Sequence, residues 1–128
     1  PLAGILIQKL GLISAESSLT EITKYPVWVL LIFCIQAGIT EEILYRSYPI
    51  ERIFEISKSK LLSVLIPLIV FILLHLPFWG PGHLIFISFA GLIFSIQYLL
   101  FRDLTSNILS HFLVDFFGLV IYPLISQQ

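Results

Sequence analysis

Gly38-Ile39-Thr40-Glu41-Glu42-Ile43-Leu44-Tyr45-Arg46-Ser47-Tyr48 decides how the chain is read. An apolar run from Val27 through Ile39, long enough to begin a membrane crossing, delivers two adjacent carboxylates and then a guanidinium four residues after the second. On a helix Glu42 and Arg46 are i,i+4 neighbours and can pair, whereas Glu41 lies about 100° round, on the face it shares with Tyr45 and Tyr48. One carboxylate is neutralised locally and the other is left free.

Composition sets the environment of that stretch. Of 128 residues 58% are hydrophobic and 12% charged, and the mean hydropathy is +1.01. A soluble domain of this size carries about twice the charge, so an all-α, polytopic membrane bundle of about four transmembrane helices is predicted. A net charge of -1 gives no reason to expect a nucleic-acid partner. Pro1 as first residue and the absence of Met are what an excerpt of a longer chain would show. Cys34, the one cysteine, lies in an apolar run and reads as buried filler, without a disulfide framework or a Cys-based metal site.

Residues 1-24 are too short in apolar sequence to span and read as an interfacial or truncated preceding segment; the core is expected over 25-128. Tyr25, Pro26 and Trp28 suit an interfacial anchor with a proline in the first helical turn. The first helix should continue past Arg46, with Pro49 a candidate kink, and turn near Lys58 and Ser59. A second run, Leu61 to Leu76, ends at His75-Leu76-Pro77, because a residue before proline is pushed out of the α region. Phe78 to Gly82 form an uncharged aromatic turn. The third run, His83 to Phe101, carries Ser88, Gly91 and Ser95 at helical spacing, a stripe whose plain reading is packing. Asp103, Thr105 or Ser106 can cap a fourth helix that runs to about Tyr122, and Pro123 closes it. On it Asn107, His111 and Asp115 recur every four residues and should face inward.

Basic residues predict orientation. Arg46, Arg52, Lys58, Lys60 and Arg102 fall on one side and Lys9 and Lys24 on the other, so the first and third connections are expected in the cytoplasm, with the site open toward that side. With the hairpin turn at Lys58 and Ser59, Glu42 and His75 reach the same level, and His111 can reach it from the last helix. One ionised Asp, Lys or Arg near the bilayer centre costs about 2.5 to 3.5 kcal/mol. Taken singly the residues have plainer explanations: a structural ion pair for Glu42 and Arg46, a helix-end histidine at His75, an interfacial His83. Those explanations do not account for three helices each bringing polar groups to one depth, whereas a shared polar cavity does.

The residues so assembled resemble the three motifs of the CAAX protease and bacteriocin-processing (CPBP, formerly Abi) family, which includes the eukaryotic Ras-converting CAAX endopeptidase. EExxxR is Glu41, Glu42 and Arg46; FxxxH is Phe71 and His75; HxxxD, where other members have HxxxN, is His111 and Asp115. The resemblance covers about Trp28 to Ile121. It implies a glutamate-type intramembrane endopeptidase that needs no metal or other cofactor and acts on a peptide or protein substrate at the bilayer. Glu41 and His75 would activate the water, His111 would stabilise the oxyanion, and Glu42 with Arg46 would fix the helix, with Phe71 and Asn107 as further structural support. Asp115 stands where the CAAX endopeptidases have asparagine. An ionised carboxylate only accepts and would repel an oxyanion, so orienting His111 is the role expected of it, with oxyanion binding the alternative. Two other functions remain open on these residues: a non-catalytic membrane scaffold of the self-immunity or regulatory kind, and a metal-dependent hydrolase or ion carrier using the same Glu and His side chains.

Overall fold

The computed structural model describes residues 21 to 79 and 81 to 126. Most of the expected 1-24 segment, Lys9 included, therefore lies outside the described residues. Within them the architecture is all helical, without a strand. Helix α1 (Val27–Glu42) passes through a π-helical turn (Ile43–Ser47) into α2 (Tyr48–Ser57). Then come α3 (Lys60–His75), α4 (Pro81–Phe101) and α5 (Leu104–Phe116), and a second π turn (Phe117–Ile121) leads into the short α6 (Tyr122–Ser126).

Local chemistry sets most of these boundaries. Pro26 stands ahead of α1 as its N-cap, in extended conformation, rather than inside the first turn as expected, and its carbonyl accepts from the N–H groups of Val29 and Leu30. The two-residue connections after α2 and α4 are built alike. Lys58 and Arg102 take positive φ (55° and 54°), which turns the chain over, and Ser59 and Asp103 follow in extended conformation as N-caps. Ser59 Oγ accepts from Leu62 N–H at 3.3 Å and Asp103 Oδ1 from Thr105 N–H at 3.0 Å, satisfying donors that a helix start otherwise leaves orphaned. Among the three candidate caps of the last helix, Asp103 is the one used, and the Ser106 hydroxyl that bonds to it holds its carboxyl below the ordinary value.

Both π turns precede a Tyr-Pro pair, Tyr48-Pro49 and Tyr122-Pro123. Proline lacks an N–H and its ring crowds the carbonyl four residues back. The chain meets this by widening the preceding turn: Tyr48 N–H reaches Ile43 O and Tyr122 N–H reaches Phe117 O, five residues each. The effect expected of Pro49 is thus a wide turn within a continuous helical path.

Three helical stretches, Val27–Ser57, His83–Phe101 and Leu104–Ile125, are long and apolar enough to cross a membrane. The fourth expected span is shorter. Lys60–His75 has 16 residues, roughly 24 Å of helix against a hydrocarbon layer of about 30 Å. The helix ends at His75 ahead of Pro77, as expected, but not because Leu76 leaves the α region: Leu76 keeps φ -50° and ψ -42°, and what Pro77 lacks is an N–H to continue the ladder. The outer faces carry exposed Ile32, Leu73, Phe89, Leu100 and Leu109, which suits contact with lipid.

Helix α1 packs mainly on α5, α2 on α3, and α4 closes the bundle between α3 and α5. The α1/α5 contact is close because of Gly38, where an added Cβ would stand 3.2 Å from the Ile108 carbonyl oxygen. The two tight connections lie together at one end: Glu51 of α2 accepts from the Tyr98 hydroxyl at 3.2 Å and pairs with Arg102. Arg52, Lys58 and Lys60 share that end with Arg102. Arg46 drops out of the tally used for orientation, because it is buried and paired inside the bundle.

Candidate active site

The site begins with a buried knot. Glu42 faces the interior at 0% exposure and Arg46, one turn on, at 1%. The expected i,i+4 pair forms, with Arg46 Nη1 3.1 Å from Glu42 Oε1. The partnership extends further than helix geometry foretold. His111 Nδ1 lies 2.7 Å from Glu42 Oε1, and Asn107 Nδ2 donates to Glu42 Oε2 at 3.0 Å and to the Phe94 carbonyl at 2.8 Å. Both of the latter are acceptors, which fixes the Asn107 amide with its nitrogen toward them. One carboxylate therefore joins α1 to α5 through two side chains, and through Asn107 also to α4.

The guanidinium is held by rings. Arg46 Cζ stands 4.2 Å from the centroid of Phe71 and 5.7 Å from that of Phe94. Its Nε and Nη atoms find no hydrogen-bond acceptor of good geometry, so charge attraction to Glu42 and the faces of two aromatic rings stabilise it. Room for it comes from Gly91, where a Cβ would stand 3.2 Å from Arg46 Nη2, 3.0 Å from Leu68 Cδ1 and 3.2 Å from Phe71 Cδ1. The stripe of small residues on α4 is thus packing, as expected, but its central member packs against the buried charge. Ser95 is equally buried and spends its hydroxyl on the Gly91 carbonyl at 2.8 Å.

Over the knot lies a cavity of about 940 Å³. Glu41, His75, His111 and Asp115 all line it, together with Phe71, while Glu42, Arg46 and Asn107 lie outside its wall. The one cluster anticipated from the sequence is therefore two layers, and His111 belongs to both. Glu42 grips His111 by Nδ1, Phe94 stacks on its ring at 5.1 Å, and its Nε2 turns to the cavity, 3.7 Å from Glu41 Oε2 and 3.5 Å from Asp115 Oδ2. Glu42 thus holds the ring at one edge and Phe94 at one face, while Asp115 faces its other nitrogen. The inward stripe of Asn107, His111 and Asp115 forms as predicted, its first two members in the buried layer.

His75 is oriented from its own helix. Its Nδ1 lies 2.7 Å from the Phe71 carbonyl, which can only accept, so Nδ1 carries a proton and the neutral ring is the tautomer with its lone pair on Nε2. The ring rests 4.4 Å from that of Phe71. Phe71 thus touches both Arg46 and His75. Glu41, with a side chain 26% exposed, makes no hydrogen bond to a described residue and lies within electrostatic reach of His111, His75 and Arg46.

Several wall residues were not legible beforehand. His83, taken as interfacial, lines the cavity and stacks on Trp79 at 4.3 Å, in the first turn of α4, which starts two residues ahead of its apolar run at Pro81. Phe94 touches His111, Asn107 and Arg46, yet nothing in its spacing sets it apart from the other phenylalanines of α4. Tyr45 also reaches the cavity, whereas Tyr48, on the same predicted face, is 65% exposed. Among the described residues no three His, Cys, Asp or Glu side chains are arranged to hold a metal ion.

Neither a search of curated proteins nor one of solved structures found a match to this chain. A family model described as type II CAAX prenyl endopeptidase Rce1-like does match, over residues 23–117, a span that takes in Glu41, Glu42, Arg46, Phe71, His75, Asn107, His111 and Asp115. With that match covering most of its length, and with apolar helices able to cross a bilayer, the chain is an integral membrane protein that belongs to the Rce1-like family of type II CAAX prenyl endopeptidases.

Proposed function

We propose that this protein hydrolyses a peptide bond inside the membrane with a water activated by Glu41 and His75, acting on a peptide or protein substrate at the bilayer. The observation that carries the reading is the division of labour between two adjacent carboxylates. Glu42 is spent on Arg46, Asn107 and His111, while Glu41 faces the same cavity as His75 without a hydrogen bond to a described residue. A general base has to be free to take a proton, and Glu41 is.

The chemistry follows from the donor and acceptor roles. Glu41 as carboxylate and His75 through Nε2 are both acceptors, so together they can take up the two protons of one water. Attack on the scissile carbonyl then transfers a proton to Glu41, which can pass it to the leaving amine. The carbonyl oxygen becomes negative and needs a donor; with Nδ1–H committed to Glu42, His111 would supply it as the imidazolium, through the second N–H on Nε2 that is aimed into the cavity. The apolar wall excludes competing water. The cavity lies toward the end of the bundle opposite Arg52, Lys58, Lys60 and Arg102, among Ile22, Trp79, His83 and Tyr122, so the basic residues that were expected to mark the cytoplasmic side do not support access from there.

The test is Glu41→Gln in the purified full-length protein in detergent or vesicles, assayed against a membrane peptide library. The amide keeps the shape of the side chain but takes no proton, so cleavage should be abolished while insertion and thermal stability stay near those of the parent. Full cleavage by this variant would overturn the assignment of the base.

A further inference from the structure

The water proposed above would be held by two acceptors, and two acceptors alone do not aim it. Glu41 takes one of its protons and His75 Nε2 the other, the latter because Nδ1 is committed to the Phe71 carbonyl. A water has two lone pairs, one of which must point at the scissile carbonyl. The other is free, and the molecule can pivot about its two donated bonds unless a hydrogen-bond donor occupies that second lone pair.

Among the described residues that line the cavity, two carry a hydroxyl, Tyr45 and Tyr122. Tyr122 is 70% exposed. Tyr45 is one turn on from Glu41 along the same helical face and within electrostatic reach of it. Its ring is fixed edge-on against Phe71, with centroids 5.1 Å apart and planes at 65°, and Phe71 in turn carries His75. The phenol therefore belongs to the same rigid row that positions the two water-holding groups. No described residue hydrogen-bonds to its hydroxyl, although a partly buried tyrosine ordinarily finds a partner for that group. The π turn places it there, since Tyr45 is the middle residue of Ile43–Ser47.

We propose that the Tyr45 hydroxyl donates a hydrogen bond to the nucleophilic water, fixing its remaining lone pair toward the substrate carbonyl, so that Tyr45 is a third catalytic residue on the water side of the site. This rests on the Glu41 and His75 reading. The proton stays on the phenol throughout, and the group contributes direction rather than proton transfer.

Tyr45→Phe tests it, because the substitution removes one oxygen and keeps the ring edge on Phe71. A neutral hydrogen bond is worth about 1 kcal/mol net, so kcat should fall roughly fivefold while KM and the thermal midpoint stay unchanged. A raised KM at constant kcat would mean that the hydroxyl binds substrate instead, a lowered midpoint would make it a structural group, and unaltered kinetics would remove any role; each overturns the proposal. Glu41→Gln measured alongside separates the two claims. An inactive Glu41→Gln with an unaltered Tyr45→Phe rejects Tyr45 alone, whereas an active Glu41→Gln rejects the water-activation reading from which it was derived.

Discussion

His111 and Glu42, 69 positions apart in the chain, meet at 2.7 Å through Nδ1 and Oε1, and this contact joins the buried layer of the site to the layer that faces the cavity. Glu42 accepts at both oxygens, from His111 at one, where Arg46 also stands as the charge partner, and from Asn107 at the other. Only a carboxylate can do that, since an amide presents a donor on one side.

Glu42→Gln should therefore set its amide nitrogen against that of Asn107, or against Arg46 and His111 if it flips, and leave the guanidinium buried without a counter-charge. Thermal unfolding in detergent should show a loss of about 3 to 5 kcal/mol for either Glu42→Gln or Arg46→Gln. The double variant should recover much of the loss, though not all, because Asn107 still faces an amide. Equal damage in the single and double variants would argue against a coupled pair.

Gly91 and Gly118 give a paired test of packing around the charge. A Cβ at Gly91 would press on Arg46, Leu68 and Phe71, whereas one at Gly118 meets nothing within 4 Å. Gly91→Ala should cost roughly 1 to 3 kcal/mol through overpacking and lower cleavage by displacing Phe71 and hence His75. Gly118→Ala should be neutral or stabilise by up to about 1 kcal/mol. Similar midpoints for the two variants would show that the wall around Arg46 yields easily.

Asp115 offers a separate prediction. Since Glu42 and Phe94 already hold the His111 ring, Asp115→Asn should leave its position unchanged, remove a negative charge beside the oxyanion site and supply an N–H in its place. Turnover should be retained or raised. His111→Ala removes both a donor and a partner of Glu42, and turnover should drop by at least the roughly 100- to 1,000-fold typical of a lost oxyanion donor. An Asp115→Asn enzyme as impaired as His111→Ala would return the orienting role to Asp115.

Glutamate and metal mechanisms separate by chelation. Cleavage should survive prolonged treatment with strong chelators, and elemental analysis of active protein should find no stoichiometric zinc. Activity that vanishes with metal removal and returns on adding zinc would favour a metallohydrolase.

Much of this molecule is decided by local sequence. The helices, the turns at Lys58-Ser59 and Arg102-Asp103, the Glu42–Arg46 pair and the meeting of Glu41 and His75 at one cavity all follow from periodicity, capping and rise per residue, which act within one or two elements. Tertiary structure decided the rest. That Asn107 and His111 both bond to Glu42, that Gly91 rather than Ser88 or Ser95 admits the guanidinium, that Phe94 is the ring above His111, and that Tyr45 and His83 turn into the cavity while Tyr48 turns out depend on how each helix is rotated about its axis. Periodicity states which residues share a face but not which neighbour that face meets. Close packing at Gly38 and Gly91, the two π turns before Pro49 and Pro123, and the early start of α4 at Pro81 set those rotations, and they act only once the helices touch.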